Sequence, residues 1–314
     1  MKISLIFPGQ GSQFVGMGKD FYDSFVVAKE VFSQLDCFLN RPLKDIIFSG
    51  SENELRKTIN SQPSIMATSI AIYKTIVEEN LIDRYSIKCV AGHSLGEYSA
   101  LVANESISIK DSIRLLDIRS RAMQESMPIG TGGMAALIGK TLIEVEEILP
   151  EIQKLGKIFI ANDNANGQVV LSGEIKPIEF ICENYKEFKI KRAIQLPVSA
   201  PFHCELINNA SIKLENEIAS QKFNDFIFPL YSNVTAEPCN NEEIKDLLVR
   251  QIINRVRWRE SVKNMIKDGV NCFIEIGPGN VLTNLIRRIN KEVKVISISS
   301  IEDLAKIQSI DFNS

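Results

Sequence analysis

The sequence predicts an α/β protein with a mainly parallel sheet. Short apolar segments alternate with stretches of helical periodicity, and two of the apolar segments run into glycine-rich turns at residues 8–12 and 92–96. In parallel sheets, ligands gather at the carboxyl ends of the strands. We therefore expect a functional site where these two turns meet.

The first part of the chain contains the start of this alternation. Pro63 is typical of the first positions of a helix, so the helix that contains it is predicted to open there, with Gln62 just before it. The elements predicted in this part are a strand at 3–7, helices at 20–37 and 64–79, a strand at 87–91, a helix after Ser94 and a helix at 109–127.

The middle of the chain predicts a smaller inserted domain. Segments between residues 134 and 197 follow the order β-α-β-β-α-β, which is the ferredoxin-like pattern. The polar run at 162–167 predicts a turn between the two central strands. We predict a small domain at 129–197, inserted into a larger domain of 1–128 and 198–314 that regains its sheet with strands at 271–276 and 293–298.

Composition excludes several functional classes. The formal charge of −3 gives no general attraction to nucleic acid, and no segment approaches the roughly 20 apolar residues of a membrane helix. Six cysteines without a C-x-x-C pair, together with only two histidines, form no metal-ligand pattern. The apolar start of the chain is too short for a signal peptide, so we expect a cytoplasmic enzyme with reduced thiols.

Both histidines lie next to segments that suit acyl-transfer chemistry. His93 precedes Ser94 in the Gly-His-Ser-Leu-Gly segment at 92–96, and His203 follows the exit from the small domain. A serine nucleophile requires a nearby base, so His203 is the candidate base and His93 a supporting residue. The flanking glycines predict a nucleophile elbow on an α/β-hydrolase-like core. The alternative is a glycine-bounded turn with only a structural role.

Arg119 is the third candidate site residue. On the predicted helix at 109–127 it lies in the middle of an apolar arc. A buried cation needs a partner, and its neighbours one turn away are all apolar. Another segment could supply a carboxylate in a structural ion pair, or a ligand could supply it. Beside a possible acyl-transfer site we favour a substrate carboxylate, which a guanidinium binds with two hydrogen bonds.

Several motifs in sequence order resemble the malonyl-CoA:acyl carrier protein transacylases of type II fatty acid synthesis, and more broadly the acyltransferase domains of fatty acid and polyketide synthases. The resemblance runs nearly from end to end. It rests on Arg119 and on the segments at 7–13, 91–98, 166–170, 196–203, 249–251 and 275–279.

This resemblance implies a ping-pong reaction. Malonyl-CoA would acylate Ser94, and the phosphopantetheine thiol of acyl carrier protein would then accept the malonyl group. His203 would act as general base and later as general acid, while Arg119 would bind the free malonyl carboxylate. The implied product, malonyl carrier protein, would supply fatty acid biosynthesis.

The resemblance also implies the supporting groups of the site. The backbone N–H groups of Gln10 and Leu95 would form the oxyanion hole. A backbone carbonyl near Gln251, in place of an aspartate, would orient the histidine. No metal or bound cofactor is implied.

The implied partners are malonyl-CoA and acyl carrier protein, with no nucleic acid and no membrane, and the implied state is a monomer. Because acyl carrier proteins are acidic, we expect basic residues near the cleft, with Lys191, Arg287 and Arg288 as candidates. The alternative is that these three residues are ordinary solvated surface charges.

Two other functions remain open from the residues alone. A hydrolase with the same elbow would release the acyl group to water, although it has no evident need for an inward arginine. A non-catalytic binding protein of the same fold would not need Ser94, His203 and Arg119 together.

Overall fold

Two separate sheets organise the chain. The computed structural model describes residues 1–198 and 200–310, which form a six-stranded sheet in the order β10-β9-β1-β2-β7-β8 and a four-stranded sheet in the order β4-β5-β3-β6. Helices cover both sheets, and the predicted α/β class is confirmed. Among the described residues, no helix combines the length and the apolar character required to cross a membrane.

The strands are numbered in chain order. They are β1 (Ile3–Phe7), β2 (Ile87–Gly92), β3 (Gly132–Ile138), β4 (Ile158–Ala165), β5 (Gln168–Glu174), β6 (Arg192–Gln195), β7 (Leu230–Tyr231), β8 (Pro238–Cys239), β9 (Cys272–Ile276) and β10 (Lys294–Ile298).

The helices are numbered in the same way. They are α1 (Lys19–Ser24), α2 (Val26–Leu39), α3 (Leu43–Ser49), α4 (Glu52–Arg56), α5 (Thr58–Glu78), α6 (Gly96–Ala103), α7 (Ile109–Glu125), α8 (Leu142–Gln153), α9 (Ile175–Asn184), α10 (Asn208–Ala219), α11 (Ile244–Gln251), α12 (Trp258–Lys267), α13 (Val281–Ile289) and α14 (Leu304–Gln308).

The register of the large sheet places both glycine-rich turns at one edge. β1 lies between β2 and β9 and is parallel to both, and Phe7 is paired with Gly92 at the ends of their strands. β1 is buried along its whole length, as an apolar strand covered by helices on both faces should be. The loops that follow β1 and β2 therefore start side by side.

The small sheet is antiparallel and has the ferredoxin-like strand order. Apolar residues from β3, β5 and helix α9, including Leu137, Leu171 and Ile178, form a core of its own. The strands and helices of this unit lie within the predicted range 129–197, and these domain limits themselves stay a prediction.

One predicted turn is a strand instead. β4 continues through the polar run to Ala165, whereas the sequence predicted that the strand would end at 161. The extension pairs with β5, and Asn162 forms a parallel bridge with Val256 of the large domain. Backbone pairing on both sides outweighs the turn preference of asparagine and aspartate.

The helix that contains Pro63 begins earlier than predicted. It starts at Thr58, so Gln62 lies inside it. A proline inside a helix frees the carbonyl four residues before it. The carbonyl oxygen of Ile59 accepts a hydrogen bond from Arg41 Nη2 at 2.8 Å, which compensates for the missing N–H.

The predicted helix at 20–37 is two helices. Phe25 has an extended backbone between α1 and α2, and its ring packs on Phe21 with 6.1 Å between the ring centroids. The short strands β7 and β8 and the helices α10 to α12 had no predicted counterpart.

Candidate active site

Ser94 lies on a sharp turn between β2 and α6. Its backbone φ of +54° is in the left-handed region, which residues other than glycine rarely adopt. A Cβ atom on Gly92 would lie 1.9 Å from the carbonyl carbon of Gly96, and one on Gly96 would lie 2.2 Å from the carbonyl oxygen of Phe7. Only glycine fits at both positions, so the strand can reverse directly into the helix below Ser94.

Ser94 and His203 form a buried hydrogen-bonded pair. Ser94 Oγ is 2.8 Å from His203 Nε2, and His203 Nδ1 is 2.8 Å from the backbone oxygen of Gln251. Because a carbonyl oxygen can only accept, Nδ1 carries the proton and Nε2 can accept the hydroxyl proton of Ser94. Burial, together with the charge of Arg119, lowers the pKa of His203 to about 3. The imidazole is therefore neutral at pH 7.

Arg119 is buried beside this pair, and its hydrogen-bond partners among the described residues are all neutral. Its Nη1 donates to Gln62 Oε1 at 2.7 Å, and its Nη2 donates to Ser94 Oγ at 3.0 Å and to Gln251 Oε1 at 2.9 Å. The side chain is 1% exposed, and its Nε has no hydrogen-bond partner among the described residues. No carboxylate of the described residues forms an ion pair with Arg119, so the alternative of a structural ion pair is not what the chain shows and the guanidinium can bind an anion.

Asn233 stabilises the elbow, and the sequence did not reveal it. Its Oδ1 accepts a hydrogen bond from the Ser94 N–H at 2.7 Å, and its Nδ2 donates to the carbonyl oxygen of Gly92 at 2.7 Å. The residue follows β7, which pairs with β2. A single asparagine 139 positions from the serine carries no pattern that could have identified it.

The sequence predicted only a backbone contact from Gln251, but its side chain also forms hydrogen bonds. Its Nε2 donates to the carbonyl oxygen of Ser94 at 3.0 Å and also to Glu97 Oε2, while its Oε1 accepts from Arg119. One residue thus contacts the histidine, the elbow and the arginine. It is fully buried at the end of α11.

Glu97, in the first turn of α6, is a buried carboxyl group that the sequence also did not identify as part of the site. Its Oε1 accepts from the backbone N–H of Asn233 at 2.5 Å, and its Oε2 accepts from Gln251. Burial raises the pKa of Glu97 to about 8, although these hydrogen bonds and the charge of Arg119 oppose the shift.

The turn after β1 lies against the elbow. A Cβ atom on Gly9 would lie 2.5 Å from the carbonyl oxygen of His93. The backbone N–H groups of Gln10 and Leu95 donate to no acceptor in the described part of the chain, and both residues line the same cavity as Ser94. Two free N–H groups beside a serine can bind a developing oxyanion.

His93 faces the small domain. Its Nε2 is 2.9 Å from Asn164 Oδ1, and its ring lies 5.8 Å from the ring of Trp258 between centroids. Burial lowers the pKa of His93. These contacts fit the supporting role that the sequence predicted.

Both domains line the cavity. It has a volume of about 480 Å³, and Ser94, His203 and Arg119 lie on its wall together with Met134 and Asn162 of the small domain. Lys191, Arg287 and Arg288 are exposed and are not among the lining residues.

Comparison with known proteins identifies the family. The model of the acyl transferase domain matches residues 4–308. The malonyl CoA-acyl carrier protein transacylase of Bacillus subtilis is 40% identical over 305 residues, which cover 96% of this chain and 95% of the relative. The chain belongs to the malonyl CoA-acyl carrier protein transacylase family. It is therefore an acyltransferase.

Solved structures of transacylases agree with this assignment. The acyl-carrier-protein-S-malonyltransferase of Bartonella henselae is 44% identical, with a TM-score of 0.94 and 98% of each chain covered. A malonyl-transacylase in complex with its type II PKS acyl-carrier protein is 36% identical, with a TM-score of 0.94, covering 98% of this chain and 99% of that one.

Proposed function

We propose that this transacylase moves the malonyl group from malonyl-CoA to the phosphopantetheine thiol of acyl carrier protein, and so supplies malonyl carrier protein for fatty acid biosynthesis. One observation carries the proposal: a buried arginine without a carboxylate partner in the described chain stands 3.0 Å from the serine hydroxyl. The substrates named for the relatives, malonyl-CoA and acyl carrier protein, agree with it.

In the first half-reaction, Ser94 attacks the thioester carbonyl of malonyl-CoA while its hydroxyl proton passes to His203 Nε2. The N–H groups of Gln10 and Leu95 stabilise the oxyanion of the tetrahedral intermediate. The C–S bond then breaks, and the CoA sulfur leaves with the proton from His203. The products are malonyl-Ser94 and free CoA, and His203 is neutral again.

The second half-reaction repeats these steps with the carrier thiol. His203 accepts the thiol proton, the sulfur attacks the malonyl ester, and the proton returns to Ser94 Oγ as the C–O bond breaks. The backbone oxygen of Gln251 keeps the imidazole in the required tautomer throughout, since its hydrogen bond to Nδ1 is 2.8 Å long.

Arg119 selects the acyl group in this scheme. A malonyl carboxylate would take the place of neutral oxygens around the guanidinium and give the buried charge its counter-ion. An acetyl group offers no such partner, so we expect it to react more slowly. Simple ester hydrolysis requires no buried cation that binds the acyl group.

The remaining parts of the proposal concern the carrier and the setting. Lys191, Arg287 and Arg288 are exposed and can contact an acidic carrier, with Arg288 Nη1 bound to Gln168 at 2.8 Å. All six cysteines are free, which suits a reducing, cytoplasmic compartment. A monomeric state stays a prediction.

Intact-protein mass spectrometry tests the proposal. Brief exposure to malonyl-CoA should add one malonyl group to the wild type and none to Ser94→Ala, and acyl carrier protein with its phosphopantetheine arm should remove it. An adduct lost equally fast to water would favour a hydrolase. If no adduct formed on the folded wild type, the binding-protein alternative would stand.

A further inference from the structure

The side-chain amide of Gln251 has a single orientation that satisfies its neighbours. Arg119 can only donate, so the amide oxygen must face it, and the carbonyl oxygen of Ser94 can only accept, so the NH₂ group must face the elbow. Glu97 accepts from the same NH₂ group. The hydrogen bonds that the NH₂ group donates to Ser94 and Glu97 therefore keep the amide oxygen turned toward Arg119.

Glu97 brings a buried carboxyl group to this arrangement. Its two oxygens each accept from a different N–H donor, one on the backbone of Asn233 and one on the side chain of Gln251. A carboxamide of the same shape has only one oxygen, so it would leave one of these donors facing an NH₂ group. Both groups are buried, so such a mismatch is costly.

We propose that Glu97 is a positioning residue for acyl-group selection. Its carboxyl group holds the Gln251 amide with the oxygen toward Arg119, and Gln251 in turn holds the guanidinium beside Ser94. Glu97 does not line the cavity and makes no hydrogen bond to Arg119, so it acts through Gln251. The inference rests on the proposed function, because it concerns the binding of a malonyl carboxylate by Arg119.

The test is competition between malonyl-CoA and acetyl-CoA for acylation of Ser94, measured as the ratio of the two kcat/KM values. Glu97→Gln should lower kcat/KM for malonyl-CoA by about 10- to 100-fold, the effect of leaving one buried N–H donor without an acceptor. The value for acetyl-CoA should change by less than about threefold, because acetyl does not use Arg119. The same ratio measured for Arg119→Ala gives the largest loss of malonyl preference that we expect.

Glu275→Gln is the matched control. Glu275 is also a fully buried carboxyl group, and its two oxygens accept from the backbone N–H groups of Leu282 and Thr283. It contacts neither Gln251 nor Arg119, so its loss should lower stability and leave the malonyl preference unchanged.

A double variant tests the route through Gln251. Gln251→Met keeps the backbone carbonyl but removes the amide, so adding Glu97→Gln should not reduce the malonyl preference further. Should Glu97→Gln fail to fold, Glu97→Asp retains the carboxyl group but is too short to hold both donors, and it should show the same selective loss.

Two outcomes would overturn the inference, and both differ from failure of the proposed function. Equal losses with malonyl-CoA and acetyl-CoA in the Glu97 variants would show that Glu97 only supports the elbow. An unchanged preference for malonyl-CoA would show that the Gln251 amide keeps its orientation without Glu97. A wild type without preference for malonyl-CoA would instead contradict the function itself.

Discussion

Ser94 and His203 share a backbone feature that neither sequence position reveals. Both have φ in the left-handed region, +54° for Ser94 and +59° for His203. Such a conformation costs about 1 kcal/mol or more for a residue with a side chain, and it persists where the surroundings enforce it. The Asn233 side chain enforces it at Ser94 by binding the backbone on both sides of the turn.

The pH dependence of acylation should show that His203 is neutral. Its pKa of about 3 leaves the base unprotonated over the whole range from pH 5 to 7. We expect kcat/KM for malonyl-CoA to stay level across this range, without the fall near pH 6.5 that an ordinary histidine would cause. Stopped-flow acylation of the wild type measures it, and an inflection close to pH 6.5 would contradict the burial argument.

At the residue scale, the sequence predicted the groups that belong to motifs or to a periodic pattern. Ser94 and His203 stand in short recognisable segments, and the helical angle of Arg119 predicted its burial, which the structure shows. Asn233 gave no such signal, and Glu97, although it lies in the segment at 91–98, was not identified as part of the site. Their function depends on contacts with residues more than 130 positions away, which only the folded chain brings together.

At the element scale, the extended end of β4 connects the two domains. Asn162 lines the cavity, Asn164 binds His93, and Asp163 between them pairs with Arg259 of α12. The sequence predicted a turn here because asparagine and aspartate favour turns. Their partners lie in the other domain, so local preference could not reveal the strand.

Removal of Arg259 should destabilise this junction strongly. Three hydrogen bonds join its guanidinium to the two oxygens of Asp163, whose side chain is 0% exposed. Arg259→Met would leave a buried carboxylate without its partner, and we expect a loss of about 3–5 kcal/mol in the free energy of unfolding. Urea denaturation provides the measurement.

The exposed pair of Arg114 and Glu217 provides the control for this prediction. Its arginine side chain is 60% exposed, and Arg114→Met should cost less than about 1 kcal/mol. If both variants lost the same stability, the Asp163–Arg259 pair would not be what holds β4 to α12.

At the scale of the whole molecule, periodicity predicted two units, but not how they join. Alternation of apolar segments gave the parallel sheet, and the β-α-β-β-α-β order gave the small sheet. The junction depends on single polar contacts between distant segments, such as Asp163 with Arg259, 96 positions apart. Long-range pairing of this kind leaves no periodic trace in the sequence.

The buried histidines and the buried glutamates should together give the protein a broad maximum of stability in mildly acidic solution. The folded-state pKa values of His93 and His203 are lowered, so their contribution to stability is lost as pH falls below about 6.5. Burial raises the pKa of Glu97 to about 8 and that of Glu275 to about 7, so their contribution is complete below 4.5 and is lost as pH rises. Between these limits the two effects oppose each other.

Above pH 6.5 the folded state holds more protons on Glu97 and Glu275 than the unfolded state still holds on the two histidines, so stability should fall from there to pH 8. Each group contributes at most about 1.4 kcal/mol per pH unit, because the folded state holds a proton that the unfolded state has released. Urea unfolding at pH 6, 7 and 8, followed by fluorescence of the single, buried Trp258, measures the slope. Glu275→Gln removes one of the two protons and should make the slope shallower. Stability that rose from pH 6.5 to 8, or an unchanged slope in the variant, would mean that these carboxyl groups are already ionised in the folded protein.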